Sequence, residues 1–192
     1  MNKEKKERVI ILIDGSNFYY STARKGKKVN FEKLIKELTS ENTLVNAFYY
    51  VAPLDIKEDE EKYWAHQRFL NKLKQIEKLE VILCVLKKIK VEGKYVYFVN
   101  GDDIKLSNKL IIWAVEDIYD TAIIVSGNED FIDSVKIVQE RYGKKVGNAY
   151  FGKSSSSNLR RACDFTINLD NILSKIVEES ESSVLPEDHT EH

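Results

Sequence analysis

The run Val9–Ile13, VIILI, leads without a break into Asp14-Gly15-Ser16-Asn17. Five aliphatic residues with no polar alternation read as a strand buried on both faces, the pattern of a parallel sheet covered by helices. A carboxylate at the end of such a strand is costly unless it caps a helix or something binds it. The start of the chain therefore constrains both the fold, an α/β sheet, and the place to look for chemistry, the edge where that strand ends.

Similar apolar strands are predicted at Leu44–Ala52, Glu80–Val91, Thr121–Gly127, Lys144–Phe151 and Phe165–Leu169. Helical spacing fills the intervals. A helix starts near Asn17 and ends near Gly26, and Asn30 caps a second, FEKLIKEL. A long amphipathic helix spans Asp59–Lys78, with Trp64, Phe69, Leu70, Leu73 and Ile76 on one face. The Glu80–Val91 strand turns at Gly93 into KYVYFV, giving a hairpin. From Asp103 the apolar positions Leu106, Leu110, Ala114 and Val115 recur with helical spacing. A further helix buries Phe131, Val135 and Val138 and stops at Gly143. A short capped helix lies in SSSSNLRRAC, and a closing helix runs to about Val177. Tyr49 and Tyr50, adjacent on a strand, are expected to face one inward and one outward. Strands alternating with helices give βαβ units, so the fold class is α/β, three layers with a mostly parallel, Rossmann-like central sheet. The domain reading is a charged N-terminal extension over 1–8, one α/β domain over 9–177 and an acidic flexible tail over 178–192.

Net charge is −1, but six of the 31 acids lie in Glu178–His192, which has no Lys or Arg. Without them 25 acids face 30 bases, so the body is mildly basic, a balance that suits nucleic acid. Two cysteines, Cys84 and Cys163, have no pairing pattern, and the apolar run behind the charged start is too short for a signal or a membrane span. The expectation is a soluble cytoplasmic protein with no membrane contact. Three histidines, two of them in the tail, leave little material for a zinc site or a Ser-His-Asp triad. Carboxylates remain as the agents of any chemistry.

Sites of open parallel sheets form at the carboxyl ends of strands. There the sequence puts Asp14, then Asp102 and Asp103 after the hairpin, then Asp130 after TAIIVSG, with Asp133 one turn on. Each alone reads as a helix cap or a complement to a helix dipole. Together, like charges on one edge raise each other's pKa unless a cation neutralises them. Oxygen ligands of this kind suit Mg²⁺ or Mn²⁺. Such an ion activates water and offsets charge on a phosphodiester in transit. Asn17 and Ser126 are supporting groups in this reading.

The segments LIDGSNFYYS, NGDDIKLSNKL, YDTAIIVSGNEDF, YGKKV and SSNLRRACDFTINL follow one another in an order that resembles the NYN domain, in its LabA-like branch, of the PIN-like nuclease superfamily. The resemblance runs from about Val9 to Leu169. It implies a PIN-like fold and metal-dependent hydrolysis of RNA. The family's acidic positions fall on Asp14, Asp103 and Asp130, which it makes catalytic and metal-binding. Where the family's later motif opens Ser-Gly-Asp, this chain has Asn128. A further family acid six residues after Asp103 is Lys109 here, and the lysine of a Lys-Gly pattern is Asn100. Asp102, Asn128 and Asp133 are the residues able to supply missing ligand oxygens. Asp164 resembles an acid that the family keeps before its last strand.

Lys25, Lys27 and Lys28 beside Arg24, and Arg160 with Arg161, are weak candidates for RNA binding. Lys87, Lys88 and Lys90 read better as a solvated strand edge. Phe18, Tyr19 and Tyr20 are candidates to stack bases, Phe18 being better placed in the core. The serine run before SNLRRA is either a phosphate cradle or a loop and cap. No P-loop or Gly-x-Gly-x-x-Gly fingerprint occurs, so no nucleotide cofactor is expected, and the Asp-x-Asp of a dehalogenase-like phosphatase is broken by Ser16. The readings left standing are a metal-dependent ribonuclease, an inactive NYN-fold module that binds RNA or regulates, and an interaction protein, either monomeric or a homodimer.

Overall fold

The five residues Val9–Ile13 are the floor on which everything else is laid. In the computed structural model, which describes residues 5–91 and 94–178, they form most of strand β1 (Arg8–Asp14). Side chains alternate across a strand. Val9, Ile11 and Ile13 therefore enter one apolar cluster, while Ile10 and Leu12 enter another. The first cluster is closed by helices α1 (Gly15–Ala23), α2 (Phe31–Thr39), α3 (Glu60–Leu73) and α7 (Leu169–Ile176). The second is closed by α4 (Asp102–Val115), α5 (Ile132–Tyr142) and α6 (Ser157–Ala162). The result is a three-layer α/β/α fold.

The central sheet adds β2 (Thr43–Val51), β3 (Leu79–Leu83), β6 (Thr121–Val125), β7 (Lys145–Tyr150) and β8 (Phe165–Asn168). Its order is β3-β2-β1-β6-β7-β8 and every pair is parallel. The chain moves outward from β1 to β3, returns, and moves outward again from β6 to β8. With right-handed crossovers, that reversal puts the two sets of helices on opposite faces. It also opens a crevice at the carboxyl ends of β1 and β6, where the connections part.

Four sequence expectations change. The strand predicted over Glu80–Val91 breaks at Cys84 into β3 and β4 (Val85–Val91). β3 runs alongside β2 only to Val51, where the partner strand ends just before Pro53. Cys84 N–H takes the last available carbonyl, that of Val51, at 2.8 Å. Beyond it β4 pairs with β5 (Lys94–Asn100) as an antiparallel two-stranded ribbon. The long helix stops at Leu73, and Lys78 turns into β3 with φ 61°. Trp64 on that helix is 49% exposed and Val115 on α4 is 57% exposed, so neither joins the buried face of its helix. Tyr49 and Tyr50 are both buried, on opposite faces, because helices cover the sheet on each side. The acidic tail beyond Glu178, the first four residues and the Gly93 turn lie outside the described residues. No described helix is long and apolar enough to cross a membrane.

Candidate active site

Strand β1 carries Asp14 to the crevice and leaves it 6% exposed. Both carboxylate oxygens are engaged. Oδ1 accepts the Asn17 N–H at 3.0 Å and so caps α1, while Oδ2 accepts the Ser126 hydroxyl at 2.8 Å. Gly15 follows because nothing larger fits: a Cβ there would lie 2.4 Å from the Tyr50 carbonyl oxygen and 2.8 Å from the Tyr49 ring. Capping and coordination are thus not exclusive readings of Asp14, since the cap is what fixes its position.

Asn17 ties the two halves of the crevice together. Its Oδ1 accepts the Gly127 N–H at 3.1 Å, across from β1 to the loop after β6. Ser126 Oγ also accepts the Asn128 N–H at 3.0 Å. Asn128 caps the 3₁₀ turn Glu129–Phe131 through its Oδ1, which accepts the Asp130 N–H at 3.2 Å, and its amide donates to Asp130 Oδ2 at 3.2 Å. The Asn128 amide thus orients the next acid.

Asp102 and Asp103 open α4 directly after Gly101, whose φ of 83° turns the chain from β5 into the helix. Burial holds the Asp103 carboxyl up at about 6, and the negative charges of Asp102, Asp14 and Asp130 push the same way. The nearby Asn128 side chain offsets part of this. Asp14 is also raised, first by burial and then by Asp102, against the pull of the hydrogen bonds from Asn17 and Ser126. The carboxylates acting most strongly on Asp103 therefore come from three strand ends. Asp133 lies exposed in the first turn of α5 and is not among them.

Among the described residues, no three acid, histidine or cysteine side chains are gathered closely enough to cage a metal ion. A cage is not what Mg²⁺ requires, since it keeps several waters and binds through one or two carboxylates. Asp14 and Asp103 provide hard oxygen donors in a setting that penalises their own charge, which a cation relieves. The donor set fits a hydrated Mg²⁺ or Mn²⁺ ion. Lys109 does not compete for that charge by an ion pair. Its ammonium sits over the rings of Phe48 and Trp113, at 4.7 and 4.6 Å from their centroids.

The basic residues take several roles. Lys27 and Lys28 are exposed in the turn after α1, whereas Lys25 pairs with Asp170. Arg160 stacks on Tyr150 and donates to the Ser155 carbonyl and hydroxyl at 3.0 and 2.7 Å. Arg161 donates to Asn158 at 2.6 Å. Ser156 caps α6 and, with Asn158, donates to Glu129 at 2.8 and 3.1 Å, fastening α6 to the 3₁₀ turn. Phe18 is in the core, while Tyr19 and Tyr20 are exposed beside the site, 5.7 Å apart. Asp164 sits at the amino end of β8, where its Oδ2 accepts the Val146 N–H at 2.7 Å and the Gln139 amide at 2.9 Å. It is a structural acid at the edge opposite the site.

Asn148 went unread in the sequence. It is fully buried in β7, and its amide donates to the carbonyls of Ile124 and Ser126 at 3.1 and 2.8 Å, anchoring the end of β6. The one signal was an amide in the middle of a buried strand. Gly127 has a similar hidden duty, because a Cβ there would stand 1.7 Å from the Ser154 carbonyl oxygen. Gly127→Ala must push the two loops apart, and overpacking of this kind costs about 1–3 kcal/mol. Urea unfolding should show that loss, and an unchanged midpoint would contradict the packing described.

The NYN domain family model matches residues 8–170. Among solved structures, a protein of unknown function from Vibrio parahaemolyticus RIMD 2210633 has the same fold, with a TM-score of 0.66 at 23% identity. The match covers 93% of this chain and 100% of that one. No curated protein matches the chain significantly.

Proposed function

The chain belongs to the NYN domain family, and from that premise we propose that it is a ribonuclease of the LabA-like branch. It hydrolyses RNA phosphodiester bonds at a Mg²⁺ or Mn²⁺ site formed by Asp14, Asp103 and Asp130. The catalytic unit is residues 9–177, with the charged start and the acidic tail as appendages. The observation that carries the reading is the state of Asp14 and Asp103, two carboxylates held above their ordinary range at the point where the sheet reverses direction. A divalent ion there supplies Lewis-acid activation of water and neutralises charge on the phosphoryl oxygens.

The chain's own residues do the rest. Asp14, clamped by Asn17 and Ser126, is a preorganised ligand whose position does not depend on its occupancy. Asp103, raised to about 6 by burial and its acidic neighbours, gains most from a cation, which takes the place of the proton. Asn128 keeps Asp130 turned toward its own amide. Asp102 adds charge that strengthens the pull on a cation.

One observation favours a second reading, an RNA-binding module without cleavage. The described residues hold no closed three-ligand cluster, and the neutral Asn128 and the cationic Lys109 stand at acidic positions of the family. Incubation with single-stranded and structured RNA in Mn²⁺, Mg²⁺ or EDTA separates the two. The ribonuclease reading expects cleavage in at least one metal and none in EDTA. Binding without cleavage in any metal would establish the second reading instead.

A further inference from the structure

Helix α1 does not run back along the sheet as a crossover helix does. Its first residue packs on the Tyr50 carbonyl at the end of β2. Its second half meets Ser154, just past the end of β7, through hydroxyls 2.6 Å apart. Lys25, two residues beyond its end, pairs with Asp170, just past the end of β8. The helix therefore lies along the carboxyl edge of the sheet, and its far end encloses a pocket of about 150 Å³ lined by Ser21, Arg24, Lys25, Phe151, Lys153 and Ser154.

The chemistry of that pocket is specific. It gathers three cations. Lys25 is neutralised by Asp170 and packs 5.5 Å from the Phe151 ring centroid. Arg24 and Lys153 are exposed and make no ion pair among the described residues. The Ser21 hydroxyl donates to the Asn17 carbonyl at 2.7 Å, so the Ser154 hydroxyl, 2.6 Å away, donates to Ser21. Two exposed cations, of which Lys153 also acts on Asp170, favour an anion, and a phosphate group carries one charge as an internal diester and about two as a terminal monoester. The volume is well below the roughly 300–1,000 Å³ of sites that enclose whole small molecules. It fits the group and not the nucleoside.

The pocket shares a wall with the acidic crevice. Ser21 is one helical turn, about 6 Å of rise, from Asn17, whose side chain holds Gly127, and Gly127 in turn lies against Ser154. We infer that this pocket binds a phosphate group of the RNA next to the bond that is cleaved. The inference rests on the ribonuclease reading for its ligand. That phosphate is either the terminal monoester of the strand or an internal diester, and the two are separable by experiment.

The test is equilibrium binding of the full chain, in EDTA, to one single-stranded oligoribonucleotide made with a 5′-phosphate, a 3′-phosphate or neither. Wild type is compared with the double variant Arg24→Ala/Lys153→Ala. The control, Lys72→Ala/Lys74→Ala, removes the same charge from the far end of α3. All four substituted residues are exposed, and thermal melting checks that each protein is folded. The pocket variant is expected to bind about tenfold more weakly or worse, with a shallower salt dependence. If wild type prefers one phosphorylated end and the variant loses that preference, the ligand is a terminal phosphate. If all three oligonucleotides are weakened equally, it is an internal one. Binding by the pocket variant equal to that of the control would overturn the inference, even in a protein that cleaves RNA. Pocket-dependent binding without cleavage in any metal would keep the pocket as a phosphate site but overturn its place beside a cleaved bond, and would defeat the ribonuclease reading. A wild type that binds none of the oligonucleotides overturns both.

Discussion

Asp14→Asn is expected to abolish RNA cleavage while leaving the protein at least as stable as the wild type. The two halves of that result have separate causes. Loss of a single preorganised group acting on transition-state charge costs about 10²–10³-fold in rate, and a ligand that also positions the ion is worth at least as much. Stability follows a different ledger. Asparagine caps helices about as well as aspartate, so the Asn17 N–H keeps its acceptor, and the Ser126 hydroxyl can rotate to accept from the new amide. The charge itself is a burden to the fold. Burial raises the Asp14 pKa, so the folded state binds its proton more tightly than the unfolded chain does. Stability from such a group is full at low pH and is lost as pH rises through the raised value. A neutral amide removes that loss at pH 7. Initial rates on the best RNA substrate and a melting curve test both halves. Residual cleavage within tenfold of wild type would remove Asp14 from the chemistry, and a large fall in melting temperature would make it a structural acid only.

What the sequence disclosed and what it hid divide along a physical line. Local and periodic information was readable. VIILI and the AIIV that follows Thr121 are apolar on both faces and became adjacent central strands, β1 and β6. Asn30 was legible as a cap because a cap is a short-range hydrogen bond, and it accepts the Lys33 N–H at 2.9 Å. Gly143 was legible as a stop because its φ of 62° is a local demand. The strand-end acids were legible for the same reason, since a strand–turn–helix junction is contiguous in sequence. Features decided by tertiary partners were not. Nothing near Cys84 announces that its strand must break; the cause is the end of the neighbouring β2 at Val51, ahead of Pro53, some thirty residues earlier in the chain. The exposure of Trp64 depends on where α3 sits over the sheet, not on helical spacing. The pocket between Arg24 and Lys153 exists only because α1 lies across the edge of the sheet, and no run of sequence contains both of its walls. Asp164, which the resemblance singled out before the last strand, is the converse. Its position before a strand was right, but the chain enters that strand at the amino edge.

The remaining large effect concerns the ion. In metal-free protein the acidic crevice stores repulsion, and Mn²⁺ or Mg²⁺ at pH 7.5 is expected to raise the melting temperature. Binding to the folded state alone at about 100 times the dissociation constant contributes about 2.7 kcal/mol, which for a chain of this size is a shift of about 5–10 °C. Protons and the ion are rivals for the same relief. Asp103 titrates near 6 when folded against 3.8 for an ordinary aspartate. The folded state therefore takes up a proton that the unfolded chain declines between those values, and this group's contribution to stability grows as pH falls from about 7 toward 4. The metal-induced shift should shrink over the same interval. Asp103→Asn should lose most of the metal-induced shift and flatten part of the pH dependence, the rest belonging to Asp14, whose carboxyl is also raised. Melting curves in EDTA, Mn²⁺ and Mg²⁺ at pH 5.5 and 7.5 make the comparison without any RNA. Identical melting in metal and EDTA at pH 7.5 would mean that the carboxylates repel one another uncompensated, and the protein would then be the binding module and not the nuclease. A metal shift that survives Asp103→Asn would place the ion on Asp14 and Asp130, with Asp103 left to act on the proton alone.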